Sequence, residues 1–220
     1  MSTDADVARR LGVVRREITD VERAFDHDVS IVAVTKGFDE WAINAAVAAG
    51  CDAIGESYAQ ELVSKRTAVE GLAPEVHFIG RLQTNKVRLI AGLVDVWSSL
   101  DRRSVVDEVA KRSPSSRVLI QVDTTEDPAK GGCQVADVEA LVERARDHGL
   151  AVEGLMTVGP TGEPAEAARA GFRRVRRLVD ELGLSVCSMG MSGDIAVAVQ
   201  EGSTEVRIGT ALFGPRPPRN

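Results

Sequence analysis

The stretch that decides the fold is Ser30–Gly37, which reads SIVAVTKG. Its first five residues form a short apolar, β-branched run that is typical of a buried strand. The following turn carries Thr35, Lys36 and Gly37, and it lacks the glycine-rich signature of a dinucleotide-binding sheet. A helix is predicted from about Asp39. A strand that leads directly into a helix is the repeating unit of a parallel sheet.

The same strand–helix alternation recurs along the rest of the chain. The predicted strands span residues 30–34, 52–55, 76–80, 94–98, 117–122, 152–156, 184–188 and 205–209. Eight strands separated by helices across about 200 residues predict an α/β fold, a single (β/α)8 TIM-type barrel. A doubly wound sheet would usually have fewer strands.

Both ends of the chain lie outside this alternation. Apolar residues from Val7 to Phe25 recur every three or four positions, which predicts an extra N-terminal helix within residues 1–27. The proline-rich residues 215–220 are predicted to form an irregular tail. No repeat or linker divides the chain, so residues 1–220 are predicted to form one domain.

The composition narrows the range of partners and compartments. A formal net charge of -6 argues against a general affinity for nucleic acid or for an anionic membrane surface. Cys51, Cys133 and Cys187 form no C-x-x-C pair, so neither a disulfide framework nor a metal site is implied. No apolar run approaches the roughly 18 residues of a membrane span. We expect a cytoplasmic protein, most simply a monomer.

Lys36 is the candidate for chemistry at the barrel mouth. The chain has only five lysines, and arginine cannot replace lysine where a neutral amine is needed. Lys36 follows the first strand directly, and reactive groups of such barrels lie at the C-terminal ends of strands. Desolvation there favours the neutral amine, which attacks aldehydes. The alternative is an ordinary solvated surface lysine.

Two late loops are suited to hold phosphate. The loop after the seventh strand reads SMGMSGD over residues 188–194, and Ser192 is predicted to cap the next helix beside Met191. Free N–H groups at a helix N-terminus attract anions, although an ordinary capped helix has the same pattern. Gly209 and Thr210 follow the eighth strand, where barrels commonly bind phosphate.

Arg207 is the candidate that requires a partner. It alternates with Val206 and Ile208 on the eighth strand, so it faces the other way. A barrel wall seldom buries an unpaired charge. Either Arg207 pairs with Glu205 or Asp194 near the rim, or it contacts the ring nitrogen of a bound cofactor.

Taken together, these segments resemble the pyridoxal 5′-phosphate (PLP) homeostasis protein family, also called the YggS/PROSC family. The resemblance spans most of the chain. Its carriers are AVTK (33–36), IGESYAQE (54–61), HFIGRLQTNK (77–86), IQV (120–122) with KGG (130–132), GLM (154–156), SMGMSGD (188–194) and VRIGTALFG (206–214).

The resemblance implies the fold type III barrel of the alanine racemase N-terminal domain, with PLP held as a Schiff base on Lys36. It also implies that the loop around Met191 and Ser192 and the Gly209–Thr210 segment bind the phosphate, and that Arg207 lies near the pyridine nitrogen. One departure is Ser57, because the family often has asparagine there. Asn85 follows the third strand and is expected to support the site.

Three functions remain open. A PLP-binding protein of intracellular vitamin B6 homeostasis would supply the cofactor to apo PLP enzymes with little or no amino-acid turnover. A PLP-dependent amino-acid racemase would need a second base, and the only tyrosine, Tyr58, lies within the barrel sequence. A sugar-phosphate isomerase or aldolase would need an acid or base that no motif nominates. The first function is favoured.

Overall fold

The computed structural model describes residues 3–125, 127 and 129–216, and it forms a closed parallel barrel in which each strand pairs with its chain neighbours. The eighth strand returns to the first, with Ser30 opposite Glu205 and Val32 opposite Arg207. The predicted (β/α)8 fold is confirmed. The strands are Ser30–Val34 (β1), Ala53–Glu56 (β2), Val76–Phe78 (β3), Val96–Leu100 (β4), Arg117–Gln121 (β5), Ala151–Met156 (β6), Val186–Ser188 (β7) and Glu205–Ile208 (β8).

Helices connect the strands and form the outer layer. The α-helices are Asp4–Asp20 (α1), Glu40–Ala49 (α2), Ala59–Ser64 (α3), Arg66–Leu72 (α4), Thr84–Ile90 (α5), Arg103–Arg112 (α6), Val138–Asp147 (α7), Arg169–Glu181 (α8), Ile195–Gln200 (α9) and Thr210–Phe213 (α10). Among the helices described, none is long and apolar enough to cross a membrane.

The N-terminal helix exists but is shorter than predicted. Thr3 and Asp6 form a reciprocal capping box at its start, and the helix ends at Asp20 because Val21 is extended. Phe25 is not on the helix: it packs instead against Gly202, where an added Cβ would come within 2.9 Å of the ring. The apolar spacing at Phe25 therefore reflects a tertiary contact. At the other end, residues 217–220 of the predicted tail lie outside the described residues.

Strand alternation separates two apolar layers. Val206 and Ile208 of β8 belong to the large core between barrel and helices, whereas Val96, Leu119 and Met156 form a small cluster of their own. Because successive strand residues face opposite sides, the second cluster lies in the barrel interior. The interior is therefore filled partly by apolar side chains and partly by the polar residues described below.

The fourth strand is shifted by two residues at both ends, since it spans Val96–Leu100 and not the predicted 94–98. Val94 belongs to the preceding connection, and Asp95 bonds back to the third strand through the Val76 backbone: Val76 N donates to Asp95 Oδ2 at 2.8 Å, and Asp95 N donates to Val76 O at 2.9 Å. The β-branched Val94 resembles a strand residue in sequence, but the side-chain bond of Asp95 defines where pairing starts.

Candidate cofactor site

A cavity of about 720 Å³ opens at the mouth of the barrel, where the loops that follow the first six strands meet. Phe78 and Val158 contribute apolar walls, while Lys36, Ser57, Lys86 and Lys130 contribute polar groups. This is the end of the barrel at which the reactive groups of the fold lie. Its volume suits a ligand of cofactor size.

Lys36 extends from the end of β1 into this cavity and is half-buried. Burial lowers the pKa of its ammonium, and the guanidinium groups of Arg216 and Arg207 lower that pKa further. The carboxylates of Glu56 and Glu61 oppose these effects. The net direction favours the neutral amine, which is the nucleophilic form.

Arg216 was missed by the sequence analysis, which placed it in an irregular tail. Its side chain lies against Gly37, whose added Cβ would come within 3.0 Å of the Arg216 Cδ. Gly37 has a φ of +79°, a backbone conformation that glycine adopts most readily. The proline-rich context of Arg216 gave no sign that the tail passes next to Lys36.

Arg207 is buried inside the barrel wall, and its partners differ from both carboxylates considered above. Nη1 donates to the Ser188 hydroxyl and Nη2 to the Thr157 carbonyl, each at 2.6 Å. Burial lowers the pKa of Arg207, whereas the negative charges of Glu205 and Asp194 act to raise it. Among the described residues, Arg207 forms no direct ion pair, so the proposed rim pairing is not found.

A polar chain continues from Arg207 towards the opposite end of the barrel. Ser188 Oγ donates to Glu205 Oε1 at 2.6 Å, and Glu205 Oε2 lies 3.5 Å from His77 Nδ1. His77 Nε2 lies 2.8 Å from Glu75 Oε1. A buried carboxylate therefore balances the Arg207 charge through one hydroxyl rather than by direct contact.

The two late loops are joined to each other. Ala211 N donates to Ser192 Oγ at 3.2 Å, so Ser192 does not cap the following helix as predicted. That helix begins three residues later at Ile195, after Asp194. The Met191 N–H already donates to Asp194 Oδ1 at 2.6 Å. Ser192 therefore connects the loops instead of capping the start of the following helix.

Gly209 and Thr210 lie where the sequence placed them, at the end of β8. An added Cβ on Gly209 would come within 3.4 Å of Val34, two residues before Lys36. Thr210 begins α10 and is exposed at the mouth. This segment is therefore close to the backbone that carries Lys36.

Ser57 supplies a polar atom that has no partner among the described residues. Its hydroxyl is buried and forms no hydrogen bond with them, and the residue lines the cavity. Gly80 permits this arrangement, because an added Cβ would lie 2.1 Å from the Ser57 carbonyl oxygen. A buried hydroxyl without a partner, in a residue that lines a cavity, fits a polar ligand, since such groups are normally satisfied. Serine in place of the family asparagine is thus still at the site.

Asn85 is not brought to the cavity. It is exposed on α5, and the neighbouring Lys86 lines the mouth instead. Successive helical residues point about 100° apart, so only one of the two can face the opening. A supporting role for Asn85 at the site stays a prediction, which rests on its position in the helix that carries Lys86.

The match to known proteins covers nearly the whole chain. A family model described as alanine racemase, N-terminal domain, matches residues 10–217. The pyridoxal phosphate homeostasis protein of Pseudomonas aeruginosa is 37% identical over 221 residues, which cover 96% of each chain. The protein of the same name from Aquifex aeolicus is 43% identical over 178 residues, 76% of this chain and 78% of the relative.

Solved structures agree with this assignment. PipY of Synechococcus elongatus, solved with PLP bound, superposes with a TM-score of 0.82 at 30% identity and covers 94% of this chain and 100% of that chain. Lysine decarboxylase of Selenomonas ruminantium, at 15% identity and a TM-score of 0.73, shares the fold alone. The chain belongs to the pyridoxal phosphate homeostasis protein family, which is built on the alanine racemase N-terminal domain.

Proposed function

We propose that this protein binds PLP at the barrel mouth, as a Schiff base on Lys36, and acts in intracellular PLP homeostasis. The observation that carries the proposal is the half-buried Lys36 amine, which opens on the cavity beside two guanidinium groups that lower its pKa. When bound, PLP supplies an aldehyde to this amine, and the C=N bond forms with loss of water. The aldehyde oxygen and both amine protons leave in that water.

The residues present fit this cofactor. Arg207 is a buried donor suited to the pyridine nitrogen, and a guanidinium there would keep that nitrogen unprotonated. Such an environment weakens the electron sink of the ring, which suits storage better than turnover. The unpartnered Ser57 hydroxyl offers a further polar contact.

The phosphate is assigned to the joined late loops. Ser192, Gly209 and Thr210 lie on two connections held together by the bond from Ala211 N, and barrels commonly bind phosphate at this position. The Met191 N–H can donate to the phosphate only if its hydrogen bond to the Asp194 carboxylate breaks. Phosphate binding is therefore expected to rearrange that one turn.

The relatives support the same assignment. PipY was solved with PLP bound, and the curated relatives are PLP homeostasis proteins. By extension we propose that apo PLP enzymes receive the cofactor and that the protein works as a cytoplasmic monomer. Its free cysteines are consistent with a reducing compartment.

A spectroscopic experiment tests the proposal. Purified protein with added PLP is expected to develop an imine absorption band, and borohydride reduction followed by peptide mass analysis should place the label on Lys36. The Lys36→Ala variant should lose both signals. Retention of the label on Lys130 or Lys86, the other lysines of the mouth, would move the site and overturn the assignment.

A further inference from the structure

A second lysine lies buried next to Lys36 but outside the cavity. Lys65 is 3% exposed, and its Nζ donates to Glu56 Oε1 at 2.7 Å, to Glu61 Oε1 at 2.6 Å and to the Thr35 carbonyl at 2.9 Å. Three acceptors use all three donors of the ammonium. We call Thr35, Glu56, Glu61 and Lys65 the Lys65 cluster.

The Lys65 cluster holds the peptide on both sides of Lys36. On the preceding side, Thr35 is held twice, through its carbonyl by Lys65 and through its hydroxyl, which donates to Glu56 Oε1 at 2.6 Å. On the following side, the Gly37 N–H donates to Glu61 Oε1 at 2.5 Å. One group of charges therefore fixes the residue before Lys36 and the residue after it.

The Lys65 cluster is separate from the ligand cavity. Lys36 lines that cavity, whereas Lys65 is not among the described residues of its lining. Glu56 and Lys65 are buried, so these two charges lie where water cannot reach them, whereas Glu61 is partly exposed. A buried ion cluster often stabilises a fold no better than apolar side chains of the same volume, whereas it can specify one geometry. The geometry that this cluster holds is that of Thr35 and Gly37, the residues on either side of Lys36.

We propose that Lys65 is a positioning residue, which acts through Glu61 and Thr35 to aim the Lys36 amine at the carbonyl carbon of an incoming aldehyde. The inference rests on the proposed function of Lys36. Lys65 makes and breaks no bond to the ligand. Its ammonium also neutralises Glu56 and Glu61, the two carboxylates whose charges reach Lys36.

This role has two measurable consequences. Without Lys65 the segment 35–37 loses its anchor, and misplacement of a reacting group by about 1 Å can slow a reaction by up to about 100-fold. In addition, Glu61 is left without its cation, so its charge raises the pKa of the Lys36 ammonium more effectively. Burial raises the pKa of Glu56 and Lys65 opposes that rise, so without Lys65 we expect Glu56 to take up a proton and the effect on Lys36 to come from Glu61. Arg207 and Arg216, which act in the opposite direction, remain in place.

The experiment compares Lys65→Met and Lys65→Arg with wild type. Imine formation with added PLP is followed by absorbance over a range of pH, and borohydride labelling identifies the lysine used. We expect Lys65→Met to slow imine formation by about 10- to 100-fold and to move its pH midpoint upwards. Lys65→Arg, which keeps the charge, should restore the pH midpoint.

Two controls separate positioning from loss of stability. Lys111→Met makes the same substitution on the exposed face of α6, and Val109→Ala weakens a buried part of that helix. Both should keep the wild-type pH midpoint at temperatures where the protein is folded. If Lys65→Met does not fold, Glu61→Met replaces it, because Glu61 lies at the solvent edge of the cluster. This variant should also slow imine formation, because the Gly37 N–H loses its acceptor, but it should move the pH midpoint downwards, because a carboxylate that raises the pKa of Lys36 is removed.

The outcomes distinguish the two proposals. A folded Lys65→Met protein with wild-type rate and pH midpoint, labelled at Lys36, overturns the positioning role alone. Label that persists on another lysine in Lys36→Ala overturns the proposed function itself. A pH midpoint that moves equally in Val109→Ala also overturns the positioning role, because it would follow from destabilisation.

Discussion

Ser188 connects the two buried charges of the barrel interior, and its removal should be unusually costly for a serine. Its hydroxyl accepts from Arg207 and donates to Glu205, and all three residues are buried. Hydrogen bonds to charged groups contribute about 1.5–3 kcal/mol each. Ser188→Ala removes two of them, so we expect a loss of about 3–6 kcal/mol in the free energy of unfolding.

Ser203 is a matched control for this substitution. It is fully buried like Ser188, but among the described residues its hydroxyl lies within hydrogen-bond distance only of backbone carbonyls, at 2.7 Å from Met189 O, 2.9 Å from Glu205 O and 3.3 Å from Cys187 O. A neutral bond of this kind contributes about 1 kcal/mol. Ser203→Ala therefore removes an equally buried hydroxyl without taking a hydrogen-bond partner from a charged side chain.

The assay is equilibrium denaturation of both variants with two independent probes. Ser188→Ala should be less stable than Ser203→Ala by at least about 2 kcal/mol, or about 4–8 °C in Tm for a chain of this size. It should also weaken PLP binding, because Arg207 loses one of its two anchors. Equal losses for the two variants would refute the argument that the hydroxyl links buried charges.

Three further outcomes follow from individual positions. Gly80→Ala should destabilise the protein by more than about 2 kcal/mol and weaken PLP binding, because the added Cβ would overlap the Ser57 carbonyl. Gly92→Ala is the control, because an added Cβ there has open space around it and should change neither property. Denaturation and PLP titration measure the two effects. The hydrogen bond to His77, and next the one to Arg117, lower the pKa of Glu75 to about 2. The contribution of Glu75 to stability is therefore present above about pH 4.5 and is lost as pH falls towards 2. Glu75→Gln should therefore flatten stability against pH in this acid range, and an unchanged profile would contradict the assignment. Tyr58 is the only tyrosine of the sequence and lines the mouth, so it is the candidate second base to test. We expect no amino-acid racemisation by the wild type and unchanged PLP binding in Tyr58→Phe. Racemisation by the wild type that is lost in Tyr58→Phe would favour the racemase.

The positions of Lys36, Arg207 and Gly209 illustrate what could be predicted. Lys36 and Gly209 each follow an apolar, β-branched run, and Arg207 lies within the eighth strand two residues before Gly209. In a parallel barrel the C-terminal ends of all strands meet at one mouth. Local pattern and chain order are therefore sufficient to bring them together. The prediction for Ser192 failed because the N-cap position lies two residues further along, at Asp194, and the Ser192 hydroxyl accepts a hydrogen bond from another loop.

Chain order and apolar periodicity by themselves determined the barrel, its eight strands and the placement of one lysine at its mouth, because these features depend on contacts between neighbouring segments. Tertiary structure alone decided the partners of the buried charges. Arg207 contacts a carbonyl 50 positions away, and Lys65 reaches back 30 positions to the Thr35 carbonyl. Such bonds depend on how the closed sheet and its helices are brought together in space, and no local pattern records which distant acceptor a buried donor will meet.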